Sequence, residues 1–192
     1  GASRVMQDRF PVSEQILPDI MEAFQELEET LQASEEELAR RVRELSFLNE
    51  AAEILVTQAE ADSLTTSICQ LIRQEFHLED VAIFLVDGET LRSACGKSFG
   101  LPTVCLEIPP GTALAEVIRR QESRLLRFGE LESLGDPLLG ASGCREVAYI
   151  PIIFEKDLLG VLAVGVKAQA VHLSEAFLRV MGLLASELAI AL

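Results

Sequence analysis

The sequence predicts an α+β domain: a central antiparallel sheet with helices on one face and a loop or ligand roof on the other, preceded by a long coiled-coil helix. Three observations carry this. Residues 146–166, EVAYIPIIFEKDLLGVLAVGV, read as two strands rich in β-branched and aliphatic residues, broken only at Glu155-Lys156-Asp157, which is short enough for a hairpin turn. Their near-continuous apolar character, in place of strict alternation, means that both faces of the sheet are covered. Upstream, Ile20, Phe24, Leu27, Leu31, Ser34, Leu38, Arg41, Leu45, Leu48, Ala52 and Leu55 recur at spacings of four and three. That is the seam of a heptad repeat, and such a seam needs a partner helix.

Composition bounds the function classes. With 49% apolar residues in 192, the chain can bury a real core. Against 31 Asp and Glu it carries only 16 Lys and Arg, a formal charge of -15. Nucleic acid and an anionic membrane both demand a basic footprint, so neither is an expected partner. Much of the acid lies between Glu22 and Glu60, so it describes a solvated helical arm more than a cleft. No apolar run approaches the roughly 20 residues that span a bilayer, so no direct membrane contact is expected of this chain. Four cysteines, Cys69, Cys95, Cys105 and Cys144, are scattered without paired spacing, which argues for buried, reduced, structural thiols and a cytoplasmic location.

Taken in order, Gly1-Ala2-Ser3 reads as a leftover tag, and residues 1–13 as a tail without period. Residues 14–58 form the coiled-coil helix, flanked by charges such as Glu28, Glu35, Arg40 and Glu44; Ser34 and Arg41 weaken its seam while helping to fix register. A second domain, ending in a C-terminal helix, is expected over residues 59–192. Asp62 is the expected N-cap of a second helix running to about Phe76, with Leu64, Ile68, Leu71 and Ile72 on one face. Strands follow at Asp80 to Asp87, Leu91 to Phe99 and Val104 to Ile108, with Gly96 marking a bend and Pro109-Pro110-Gly111 ending the third. Thr112 caps a short helix, and Arg124 to Phe128 reads as a further strand. The segment from Gly129 to Arg145, rich in Gly, Ser and Asp, has the look of a functional lid or mobile loop. After the central hairpin, Ser174 caps a last helix with two apolar stripes. One runs through Phe177, Met181, Leu184 and Leu188, the other through Val180, Leu183 and Ile190. Two stripes imply two partners: the sheet and a second chain.

From about Leu45 to Leu192 this order resembles a GAF domain, the small-molecule sensor module of signalling proteins. The pieces that carry it are IPPGTALAEVIRRQESRLL, VAYIPIIFEKDLLGVLAVG and LSEAFLRVMGLLASELAIAL. The resemblance implies an antiparallel sheet of five to six strands, helices from both chain ends on one face and a ligand pocket on the other. The N-terminal seam resembles the signalling helix that precedes such domains in bacterial sensor histidine kinases, diguanylate cyclases and transcription regulators. An output domain in cis, following the last helix, is therefore expected.

Chemistry within that family differs by branch. The Asn-Lys-Phe-Asp-Glu signature of cyclic-nucleotide binders is effectively absent: Lys167 is present, but Val166 stands where Asn belongs, and Leu173 and Phe177 fall near the Phe and Asp positions. Neither His77 nor His172 sits beside a cysteine as bilin attachment requires, and both lie at helix ends, where a histidine is a cap or surface residue more often than a haem ligand. Free methionine sulfoxide reductases share the fold and use cysteines around the pocket. Of Cys95, Cys105 and Cys144, only Cys144 has an electropositive neighbour, Arg145, and redox catalysis needs a low-pKa thiol with a resolving partner. No phosphate loop, G-x-S-x-G elbow or H-E-x-x-H is present.

The expected function is thus a non-catalytic regulatory module that forms a homodimer and either senses a small molecule or transmits a conformational signal; the alternatives are a redox-active enzyme or thiol sensor and a purely structural connector. No catalytic or metal residue is assigned, and the cofactor is unknown. Polar groups available to a ligand are Ser93, Glu107, Arg127, Asp136, Ser142, Arg145 and Tyr149. Dimer contacts are assigned to Phe24, Leu27, Leu31, Leu38, Leu45 and Leu48 of the first helix and to Met181, Leu184 and Leu188 of the last.

Overall fold

A computed structural model of the chain describes residues 10–95, 99–101, 105–139, 142–169 and 171–192, with side chains from residue 14 onward. The expected bend at Gly96, the strand start at Val104 and residues 1–9 of the tail lie outside these. Helix α1 spans Phe10–Thr57, 48 residues or roughly 72 Å of axis. It begins earlier than residue 14, because Pro11 falls in its first turn, where the missing N–H is needed by no carbonyl.

The chain divides into two compact units, Gly1–Ser46 and Phe47–Leu192. In the first, α1 shows its apolar seam to solvent: Phe24, Leu27, Leu31, Leu38 and Leu45 are each more than half exposed. On the flank, Arg40 pairs with Glu37 and Glu44, and Arg41 with Glu37. Hydrogen bonds from both arginines hold the Glu37 carboxyl at about 2. Such pairs, three and four residues apart, support a long helix that buries little of itself.

In the second unit the last turns of α1 join the core, with Phe47 and Ala51 buried and Leu48 packed against them. Packing thus begins at Phe47, upstream of the expected start at 59. Phe76 of α2 (Ala61–Phe76) meets Phe47 edge-on at 5.1 Å and Phe177 of α4 (Glu175–Ala191) at 4.9 Å. Helices from both ends are thereby joined at one aromatic contact. The N-cap of α2 is Glu60 rather than Asp62, which lies within the first turn and there complements the helix dipole. Thr112 and Ser174 cap α3 (Ala113–Arg120) and α4 as expected, accepting from the N–H groups of Ala115 and Phe177. His77 is the left-handed C-cap of α2.

Six strands form one antiparallel sheet: β1 (Asp80–Asp87), β2 (Thr90–Ser93), β3 (Cys105–Glu107), β4 (Arg124–Arg127), β5 (Glu146–Phe154) and β6 (Asp157–Val166). Their spatial order is β3-β2-β1-β6-β5-β4, which puts the β5–β6 hairpin and β1 at the centre. β2 stops at Ser93, short of the expected strand, because the chain leaves the ladder at Ala94 and Cys95 to bond with α2.

Register assigns the two faces. Tyr149, Ala163 and Ala82 lie in one row and Val147, Gly165 and Asp80 in the next, all on the side facing the 128–145 segment. Ala148, Ile150, Leu162, Val164, Val81 and Ile83 lie on the other, which α2 and α4 cover. On α4, Met181, Leu184 and Leu188 are fully buried in this chain's own core. They are unavailable to a partner, which corrects their assignment to a dimer contact; the outward stripe holds Leu183 and Ile190. A helix apolar on two sides does not say which side meets the sheet, and Phe177 at its start decides it here.

Candidate functional site

The face opposite α2 and α4 is where small and polar residues gather. Ala82, Ala163 and Gly165 make a low floor, and at Gly165 a Cβ would come within 2.6 Å of both Cys144 Sγ and Phe99 Cε1. The floor is low because side chains from above occupy the space. Phe99 and Cys144 occupy it at Gly165, and Phe99, Leu138, Leu114 and Val117 are all but inaccessible to solvent. Among the described residues of the expected lid from Gly129 to Arg145, Asp136, Leu138, Leu139 and Cys144 are buried, and Leu131–Ser133 forms a single 3-10 turn.

Tyr149 and Asp136 lie at the centre of this face. The tyrosine hydroxyl lies 2.9 and 2.8 Å from the two oxygens of Asp136 and donates to that carboxylate. Asp136 Oδ1 also accepts from the backbone N–H groups of Leu138 (3.0 Å) and Leu139 (2.7 Å). A buried carboxylate so supplied with donors fixes the loop onto the sheet. Burial, and then the neighbouring Asp136 charge, push the Tyr149 phenol far above its ordinary value, so it serves as a donor and not as a phenolate. Ser142 donates to the Leu138 carbonyl at 2.8 Å and closes the same turn.

Beside this pair, Asp80 accepts from the N–H of Phe99 (2.9 Å) and pairs with Lys167 (3.0 Å), which raises the lysine's pKa. Cys144 Sγ lies 3.5 Å from Asp80 Oδ2. Burial first, with Asp80 adding to it, pushes the Cys144 thiol up to about 11. The electropositive neighbour expected from Arg145 is not what governs it, since Arg145 is exposed and ties the ladder only through its backbone.

The seven predicted ligand residues are not brought together. Ser93 shares the Tyr149 face by register, with Asp136 and Ser142 above it. Glu107 and Arg127 belong to the opposite face and to the two edge strands, roughly 24 Å apart at the usual strand spacing. Arg127 instead joins a second buried cluster. It donates to Glu146 Oε1 at 3.1 Å, His172 Nδ1 lies 3.2 Å from the same oxygen, and the N–H of Leu173 donates to Oε2 at 2.9 Å. Burial works against the Glu146 charge, but Leu173, His172 and Arg127 together outweigh it and lower the carboxyl's pKa. Glu146 is thus a buried tie between β4, β5 and the approach to α4. Only the apolar context of its strand hinted at this.

Two concavities bear on ligand size. A hollow of about 130 Å³ lies between His77, Asp80, Gly165 and Lys167, below the several hundred Å³ that enclose a drug-sized ligand. A wider one of about 680 Å³ near Gln58 and Ser67 is open to solvent and lined mainly by polar residues of the α1–α2 joint. The Tyr149 face, with convergent buried polar groups, is the better candidate.

A family model described as GAF domain matches residues 58–192. Comparison with curated protein sequences gives no match. Among solved structures, the chain is similar to the free methionine-R-sulfoxide reductase of Neisseria meningitidis in complex with its substrate, with a TM-score of 0.65, 17% identity and coverage of 77% of this chain and 87% of that one. The GAF domain of a phosphoenolpyruvate-protein phosphotransferase from Coxiella burnetii gives a TM-score of 0.66 at 17% identity, covering 78% and 92%. The A. aeolicus nlh2 GAF domain, solved in an inactive state, gives 0.64 at 15% identity, covering 79% and 96%. At these identities the likeness is one of fold.

Proposed function

This chain belongs to the GAF domain family, and from that premise we propose that it is a non-catalytic regulatory module. In this reading it forms a parallel homodimer through α1 and relays a conformational change to an output domain beyond α4. The observation that carries the reading is the continuity of α1. One helix holds an exposed apolar seam from Phe24 to Leu45 and then enters the domain core at Phe47 and Ala51. Exposed apolar stripes of this length mark protein contacts. A shift in packing at Phe47, Phe76 and Phe177 then alters the register or rotation of α1 and α4.

The input is a small polar molecule at the Tyr149–Asp136 pair. It would displace Leu138 and Leu139, break the Asp136 turn and so move the segment that leads into β5. The filled floor beneath Leu138 supports a second reading, a connector that binds nothing. Redox catalysis at Cys144 is disfavoured by its burial and raised pKa. Native mass spectrometry of the protein separates these readings. The sensor reading predicts a dimer mass that carries or takes up a small ligand; a ligand-free dimer that shifts with no metabolite mixture favours the connector, and a monomer overturns both.

A further inference from the structure

Two cysteines outside the Tyr149 face approach each other where α2 meets the sheet. Cys69 in α2 and Cys95 just beyond β2 are 26 residues apart in sequence, yet their sulfurs stand 2.7 Å apart. Both are free thiols. The gap is less than an ångström longer than the about 2.05 Å of a bonded pair.

The backbone creates this approach. In a regular antiparallel rung, Ile83 and Ala94 would exchange both hydrogen bonds. Here Ala94 donates to the Ile83 carbonyl at 2.8 Å, but its own carbonyl lies 3.0 Å from the hydroxyl of Thr65, one turn before Cys69. The N–H of Ile83 donates instead to Cys95 Sγ at 3.1 Å. Side chains thus replace half a rung, and the sulfur of Cys95 sits where a backbone donor supports negative charge. The positive charge of Arg73, one turn beyond Cys69, acts in the same direction. The Cys95 thiol is lowered by the hydrogen bond with Cys69 and, against burial, by Ile83 and Arg73. Cys69 is raised by the same bond and by its burial. Cys95 retains slight exposure, at 5%.

We propose that Cys69 and Cys95 form a reversible dithiol–disulfide site whose oxidant is a hydroperoxide. The Cys95 thiolate attacks one peroxide oxygen, the O–O bond breaks, and the leaving hydroxide takes up the Cys95 proton as water. The sulfenic acid so formed on Cys95 is attacked by the Cys69 sulfur; the S–O bond breaks, and hydroxide leaves with the Cys69 proton as a second water. Two thiols lose two electrons and two protons, and hydrogen peroxide becomes two waters. The bond ties α2 to the end of β2 and closes a loop that contains β1. Cys105 is exposed and Cys144 lies beside Asp80, so neither offers such a partner.

The test uses the whole reduced chain, treated with hydrogen peroxide at about pH 7.5. Alkylation in denaturant then counts thiols, and non-reducing digestion maps the link. The expected result is loss of two of the four thiols, a Cys69–Cys95 linked peptide, recovery with dithiothreitol and a Tm raised by roughly 5 °C or more. In Cys69→Ala, dimedone should instead trap a sulfenic acid on Cys95. A Cys105→Ser, Cys144→Ser double variant, which leaves the pair intact, should still form the link. Four thiols remaining after treatment, or a link that runs through Cys105 or Cys144, overturns the proposal.

Discussion

Glu146 is charged and nearly inaccessible, at 4% exposure, and it alone joins Arg127, His172 and the N–H of Leu173. Since its folded pKa is lowered, its contribution to stability is present above the unfolded carboxylate value of about 4.3 and is lost as pH falls through the folded value. Glu146→Gln should therefore cost about 1–3 kcal/mol near neutral pH. The difference from the parent should shrink below about pH 4, as urea titrations across that range would show. At this scale the sequence was informative about residue type and silent about pairing. Tyr149 reads as a polar tip on an apolar floor and Asp136 as an available acid, but their bond joins a strand to a loop whose path no local pattern sets.

Elements were legible where local chemistry is unambiguous. The hairpin, the caps at Thr112 and Ser174 and the strand at Asp80–Asp87 all follow from propensity and side-chain hydrogen bonds. Where two faces of one helix are both apolar, the pattern carries no direction. α4 is such a case, and its packing against β5 takes up Met181, Leu184 and Leu188 while Leu183 and Ile190 face outward. Met181→Ala should consequently cost about 2–5 kcal/mol, read as a lower urea midpoint, and leave the oligomeric state unchanged. A Met181 that lay in a dimer contact would do the reverse. The Gly129–Arg145 segment lacks periodicity because it is held by Asp136 and by three buried apolar groups at irregular spacing, Leu138, Leu139 and Cys144.

For the molecule as a whole, the order of elements specifies the family fold, since six antiparallel strands with terminal helices on one face arrange themselves in few ways. What the pattern does not mark is the residue at which α1 becomes buried. A heptad seam runs without interruption from the exposed part of α1 into the part that the core absorbs, and Phe47 is not itself a seam position. The proposed function assigns the same helix two uses, a contact surface along its exposed length and a core element at Phe47 and Ala51, and it rests on that double use. Sedimentation equilibrium tests it most directly. The intact chain should sediment at about twice 21.0 kDa, and Leu31→Glu combined with Leu38→Glu, which keeps helix propensity but charges the seam, should return it to a folded monomer. An intact chain that stays at 21.0 kDa at every concentration, or a dimer indifferent to both charges, would contradict the account.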